Sequence, residues 1–73
     1  METRDTVRMA NQIGDFFKSY SEKEALDGIA EHISKFWDPR MRRKLFAHLD
    51  VGGEGLIEIV KRAARDVKRP KAA

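Results

Sequence analysis

The sequence contains no cysteine and only two prolines in its 73 residues. Without cysteine the chain cannot form disulfides, thiolate metal sites, cysteine-ligated iron–sulfur clusters or a cysteine nucleophile. Small secreted domains usually depend on disulfides for their stability. We therefore expect an intracellular protein that folds in a reducing compartment or is supported by a partner.

Long apolar segments are also missing. No apolar run approaches the roughly 20 residues that a transmembrane helix needs, and residues 1–5 lack the apolar core of a secretory signal. We expect neither a membrane span nor a secretory signal. A chain of this length forms one domain, predicted to cover 1–73 with short flexible ends at about 1–5 and 69–73.

No stretch alternates apolar and polar residues with a period of two, so a β-sheet is not expected. The apolar residues recur instead at helical intervals. They predict an all-α fold, a small bundle of three to four helices at about 6–20, 21–36, 39–50 and 56–68. A capping box from Ser21 to Glu24 begins the second helix. Its apolar stripe is Ala25, Leu26, Ile29, Ala30, Ile33 and Phe36.

Two glycine features stand out against this helical pattern. Gly52 and Gly53 follow the third helix, where glycine supplies the left-handed conformation that ends many helices. Gly14 lies inside the first helix and predicts either a local weakness or the close approach of a neighbouring element. The glycine run lacks the spacing of a phosphate-binding loop, so we predict a structural turn there.

The charge is unevenly distributed along the chain. Residues 1–38 carry five Lys or Arg against eight Asp or Glu, whereas residues 39–73 carry ten against four. The net charge of +3 therefore divides into −3 and +6. This asymmetry predicts an acidic partner or nucleic acid for the second half, unless the two halves neutralise each other within the fold.

The change of sign falls in one distinctive segment, which holds the only Trp. Asp38 and Pro39 have the residue types of a helix N-cap and first helical position. Trp37 precedes them, and the cations Arg40, Arg42, Arg43 and Lys44 follow. An aromatic residue beside arginines is typical of a protein-binding surface. The alternative is a helix–helix corner with Trp37 in the core.

The consecutive phenylalanines of the first helix raise the same question. Phe16 and Phe17 cannot both point fully into one narrow core, so one of them is a candidate for contact with a partner. The predicted partner-binding residues are Trp37, Arg40, Arg42, Arg43 and Phe17.

Catalysis fits the sequence poorly. His32 and His48 lie on different predicted helices, and their spacing matches no metal-binding pair. We therefore predict no catalytic, cofactor-binding or metal-binding residue. A small basic nucleic-acid-binding protein is the alternative function, although the third helix lacks the Asn, Gln, Ser and Thr that usually help arginine to recognise base edges. A homodimer that covers surplus apolar residues is a third possibility.

Several motifs also resemble one protein family, the delta subunit of cytoplasmic NAD-dependent formate dehydrogenases. The resemblance rests on residues 9–13 (MANQI) with Phe16 and Phe17, on residues 28–33 (GIAEHI) and on residues 36–42 (FWDPRMR). It continues through His48-Leu49-Asp50 and Gly52-Gly53 into the last helix, and so covers about Met9 to Ala64.

The resemblance implies a short helical, non-catalytic partner of a molybdenum- or tungsten-dependent formate dehydrogenase. Such an enzyme oxidises formate and passes electrons through iron–sulfur clusters and flavin to NAD, and these cofactors belong to its other subunits. The family resemblance implies a cytoplasmic chain that docks on the large catalytic subunit and serves assembly, cofactor maturation or stability. It carries no catalytic residue over to this chain.

Overall fold

Four α-helices make up most of the computed structural model, which describes residues 3–67. They are α1 (Thr3–Phe17), α2 (Glu22–Phe36), α3 (Pro39–Asp50) and α4 (Glu58–Arg65). Residues 3–67 contain no strand, which confirms the all-α prediction. No helix within that range combines the length and the apolarity needed to cross a membrane.

The two predicted N-caps begin α2 and α3 as expected. The Ser21 hydroxyl accepts a hydrogen bond from the Glu24 N–H at 3.3 Å and donates one to the Glu24 carboxylate at 2.9 Å. The Asp38 carboxylate accepts from the Met41 N–H at 2.9 Å. Each cap satisfies a backbone donor that has no partner within the first turn.

The first helix occupies a different range from the predicted one. It begins at Thr3, where an Asp5–Arg8 ion pair spans the first turn, and it ends at Phe17 instead of about residue 20. Ser21 is extended because it caps α2, so the chain must leave the first helix before it. Of the predicted flexible ends, Thr3–Asp5 lie in α1, while residues 1–2 and 69–73 lie outside the described residues.

Two glycines end α3 as predicted. Gly52 and Gly53 have φ angles of +113° and +65°. The Gly53 N–H donates to the His48 carbonyl at 2.8 Å and the Gly52 N–H to the Leu49 carbonyl at 3.0 Å. This pattern is a Schellman motif, which satisfies carbonyls that the last turn leaves unpaired.

The last helix is shorter than its periodicity predicts. It begins at Glu58 instead of about residue 56, because Ile57 is extended and its N–H is held from outside the helix. The Asn11 side chain on α1 accepts from the Ile57 N–H at 3.0 Å and donates to the Gly55 carbonyl at 2.9 Å. Residue 68, the predicted end of this helix, lies outside the described residues.

One apolar core unites the four helices. Its fully buried members include Ala10, Ile29, Ile33, Leu45 and Val60, and partly buried side chains pack around them. The predicted stripe of α2 was wrong at its last position, because Phe36 is 72% exposed. The chain leaves the helix at Trp37, which is extended and only 5% exposed, and the indole enters the core where Phe36 was expected.

Gly14 marks a close approach of α1 and α4, one of its two predicted roles. A Cβ atom at this position would lie 2.6 Å from Ile57 Cδ1 and 2.6 Å from Val60 Cγ2. Since Val60 is fully buried, it has no free space into which it could withdraw.

Removal of the Asn11 amide should destabilise the fold. Asn11→Ala leaves the Ile57 donor and the Gly55 acceptor without their partner, and we expect a loss of about 1–3 kcal/mol in the free energy of unfolding. Urea denaturation of the full chain measures it. Gln12→Ala, an exposed change one residue along, should stay within about 0.5 kcal/mol. Equal stability of both variants would show that the two hydrogen bonds of Asn11 contribute nothing to the free energy of unfolding.

Gly14→Ala should also destabilise the fold, although alanine is the better helix former by about 1 kcal/mol. Overpacking against Ile57 and Val60 costs about 1–3 kcal/mol, so the net effect should be a lower melting temperature. Gly28→Ala should cost less, since its Cβ would meet only the outer end of the half-buried Phe17 ring, whereas Gly14→Ala meets the fully buried Val60. A Gly14→Ala variant as stable as the parent would rule out the close packing.

Candidate functional site

A surface groove of about 400 Å³ lies where α1 and the end of α2 run side by side. A short turn joins α1 to α2, so the two helices run antiparallel. Side chains of α1 that are spaced one or two helical turns apart therefore lie opposite the end of α2. The groove is lined mainly by apolar and aromatic groups: Met9, Gln12, Ile13, Phe16, Phe17, His32 and Trp37.

Three exposed aromatic rings lie in or next to this groove: Phe16 lines it, Tyr20 contacts Phe16, and Phe36 contacts the lining residue His32. Phe16 is 68% exposed, Tyr20 47% and Phe36 72%; we call these three residues the aromatic patch. The Phe16 ring stacks on Tyr20 with centroids 6.3 Å apart, and the Phe36 ring lies 4.9 Å from the His32 ring. Aromatic neighbours therefore hold the exposed rings in place, and large exposed apolar groups of this kind mark interaction surfaces.

Phe17 has a different position from its neighbour. It is half-buried, and its ring covers Gly28 so closely that a Cβ at that glycine would overlap the ring. The Phe16 ring meets the Phe17 ring edge-on at 5.0 Å. Of the phenylalanine pair, Phe17 therefore forms the floor of the groove and Phe16 projects from it.

Trp37 lines the same groove but belongs to the core. With 5% of its surface exposed it forms an inner wall, and it does not project toward solvent. Of the two positions considered for this residue, the structure has the buried one, at the corner between α2 and α3.

Arg42 connects α3 to the end of α2. Its guanidinium donates a hydrogen bond to the Ser34 carbonyl at 3.1 Å. Ser34 lies in the last turn of α2, where carbonyls lack helical partners and a cation is favourable. The Arg42 Nε is buried and has no hydrogen-bond partner within residues 3–67. This arginine thus has a structural contact inside the chain.

Arg40 and Arg43 are exposed and have no ion-pair or hydrogen-bond partner within the part of the chain that the structure describes. We call them the free arginine pair. They line a second depression of about 570 Å³ together with Asp38, Met41 and Lys44. Trp37 lines the first depression, and Asp38, the next residue of the chain, lines the second.

The structure therefore separates the five predicted residues. Phe17 and Trp37 line the groove, Arg40 and Arg43 lie beside it, and Arg42 is bonded to α2. The sequence interpretation missed Phe36 as an exposed aromatic. Phe36 and Trp37 are adjacent, like the two phenylalanines of α1, and only one of them can enter the core; this adjacency is the sequence signal for an exposed Phe36.

Within residues 3–67 no group of three or more His, Asp or Glu side chains could hold a metal ion. His48 contacts the Glu54 carbonyl at 2.7 Å in the loop after α3, away from the groove-lining His32. The two histidines therefore do not meet at one site.

Comparison with known proteins gives one match. The model of a protein family described as the NADH-dependent formate dehydrogenase delta subunit, FdsD, matches residues 6–64. That range includes all four helices except the first three residues of α1 and Arg65. Neither the search of curated proteins nor the search of solved structures gives a match.

The neighbours Trp37 and Phe36 should respond oppositely to truncation. Trp37→Ala empties a core position and should lower the free energy of unfolding by about 3–5 kcal/mol. Phe36→Ala removes an exposed ring and should change it by no more than about 0.5 kcal/mol. Urea denaturation followed by circular dichroism distinguishes the two. Similar losses in both variants would contradict the assignment of Trp37 to the core and Phe36 to the surface.

Proposed function

The chain belongs to the delta-subunit family of NADH-dependent formate dehydrogenases, and we propose that it is a non-catalytic accessory subunit of such a complex. In this proposal it acts in the cytoplasm by docking on the large catalytic subunit. Its contribution is to assembly, cofactor maturation or stability of the enzyme.

The observation that carries this proposal is the aromatic patch beside an apolar groove. Three large aromatic side chains, Phe16, Tyr20 and Phe36, are between 47% and 72% exposed on a chain of 73 residues. A partner that covers such side chains removes apolar surface from water, which favours binding by about 25 cal/mol for each Å² buried. Aromatic and arginine side chains are also the commonest hot spots of protein interfaces.

The chemistry of the groove supports a binding role. Of its lining residues only His32 is titratable, and it contacts the Phe36 ring instead of a carboxylate that could orient it. Nucleophilic catalysis needs a nucleophile beside a base, and the residues that line the groove include no such pair. The sequence also has no cysteine with which to ligate an iron–sulfur cluster.

A subunit of this kind acts through mass action. If it binds only the folded or cofactor-ready form of the catalytic subunit, that form is stabilised by RT ln(1 + [L]/Kd), about 2.7 kcal/mol at a concentration of 100 Kd. No chemical step on the accessory chain is needed for such an effect.

The test is co-purification with formate dehydrogenase from cells that express the complex with a tagged accessory chain. Phe16→Ala combined with Phe36→Ala should reduce recovery of the catalytic subunit at least about tenfold, because hot-spot truncations cost about 2 kcal/mol or more. The helical circular dichroism of the variant should be unchanged.

Val51→Ala is the matched control, since Val51 is an apolar residue that is 80% exposed at the end of α3. It should leave recovery at the parent level. Full recovery with the double variant would refute the aromatic patch as the docking surface. If the parent chain retains nucleic acid and no enzyme, in a manner that weakens steeply with salt, the nucleic-acid alternative replaces the proposal.

A further inference from the structure

We propose that the segment bound in the groove is an acidic amphipathic α-helix of the catalytic subunit. Its apolar side chains lie against the groove, and carboxylates at one end pair with Arg40 and Arg43. The inference rests on the proposed function and specifies the form and charge of the partner segment at that same site.

The shape of the groove selects a helix. Along α1 the lining residues extend from Met9 to Phe17, about 12 Å at 1.5 Å per residue. Two turns of a docking helix cover this distance and place side chains at i, i+3 or i+4, and i+7 on one face. The aromatic patch flanks the groove and would enclose these side chains.

The backbone of the groove supports the same conclusion. Both walls are formed chiefly by helices, whose N–H and C=O groups are already paired within the helix. The described residues therefore offer no sheet edge to which an extended peptide could add as a strand. A segment that enters apolar surroundings must satisfy its own backbone, and an α-helix does so.

At the corner that follows Trp37 the available charge is positive, whereas on α1 the exposed carboxylate of Asp15 precedes Phe16. The four carboxylates of α2 are engaged inside the chain: Glu22 with Arg62, Glu24 with Ser21, Asp27 with Lys23, and Glu31 with Lys35. Asp38 caps α3. The free arginine pair follows Trp37, which lines the groove, within two helical turns along the chain. Arginine prefers bidentate pairing with carboxylates, so the complementary segment is acidic at that end.

A second copy of this chain fits less well. A two-fold dimer would place the same surface against itself. With the two-fold axis at the corner after Trp37, Arg40 and Arg43 would face Arg40 and Arg43 of the other copy, with like charges opposed. An acidic partner segment removes this repulsion and replaces it with charge-assisted hydrogen bonds.

Two crosslinks in the intact complex test the proposal. Phe36→p-benzoylphenylalanine places a photoreactive group in the aromatic patch. Arg43→Lys creates an amine that a zero-length carbodiimide can join to a carboxylate in direct contact. The expected result is that both crosslinks map to one helical segment of the catalytic subunit. The Phe36 crosslink should lie on its apolar face, and the Lys crosslink at an Asp or Glu about one to three turns away.

Matched controls make the crosslinks specific. The photoreactive group placed at Val51 should not label that segment, and Arg43→Gln should lack the carbodiimide product that Arg43→Lys gains over the parent. Arg40→Glu with Arg43→Glu should weaken binding about tenfold. When the crosslinked Asp or Glu of the partner is replaced by Lys, binding of this double variant should be restored.

The outcomes separate the two proposals. If the parent chain does not co-purify with formate dehydrogenase, the proposed function fails and this inference fails with it. If it co-purifies but the crosslinks fall in distant segments, in a proline-rich extended segment or in a second copy of this chain, the inference is wrong and the accessory role stands. Charge reversal without effect on binding also overturns it.

Discussion

The fold depends on one side chain that joins its two ends. Asn11 on α1 accepts from the Ile57 N–H and donates to the Gly55 carbonyl, 44 to 46 residues away in the sequence. Ile57 precedes α4 and has no side-chain cap of its own. The Asn11 amide thus satisfies the backbone donor that a capping-box glutamate would satisfy in other helices, and it does so from a different helix. Its two bonds fix where α4 begins and against which part of α1 it packs.

This constraint gives α1 two distinct faces. On the side of Asn11, Ala10 is buried and Gly14 lies in close contact with Ile57 and Val60, so α4 closes the core on that side. The larger side chains Met9 and Phe16 lie on the side of α2, where the groove opens. Because the small residues face α4 and the large ones face the groove, α4 packs tightly without covering the aromatic patch.

Local signals allowed much of this architecture to be predicted from the sequence. The helix ends depend on hydrogen bonds to backbone groups only three residues away, made by Ser21, Asp38 and Gly52. The positions of these residues in the sequence therefore determine where the helices start and stop. The start of α4 could not be predicted in this way, since it depends on a hydrogen bond to a distant residue. Phe36 was misplaced for a related reason: helical periodicity does not register that Trp37 turns into the core when the helix ends.

The corner at Trp37 links the stability of the fold to its candidate function. The buried indole forms an inner wall of the groove, and Arg42 ties the next helix to the Ser34 carbonyl, so the same contacts that close the corner also fix the position of α3. Since Arg42 is committed to α2, only Arg40 and Arg43 of its neighbouring arginines remain available beside the groove. The closed corner fixes the backbone of α3 from which these two arginines extend, whereas their side chains have no partner that orders them within residues 3–67. A partner at this surface would therefore meet a backbone that is already formed, and the entropic cost of association would fall mainly on the Arg40 and Arg43 side chains.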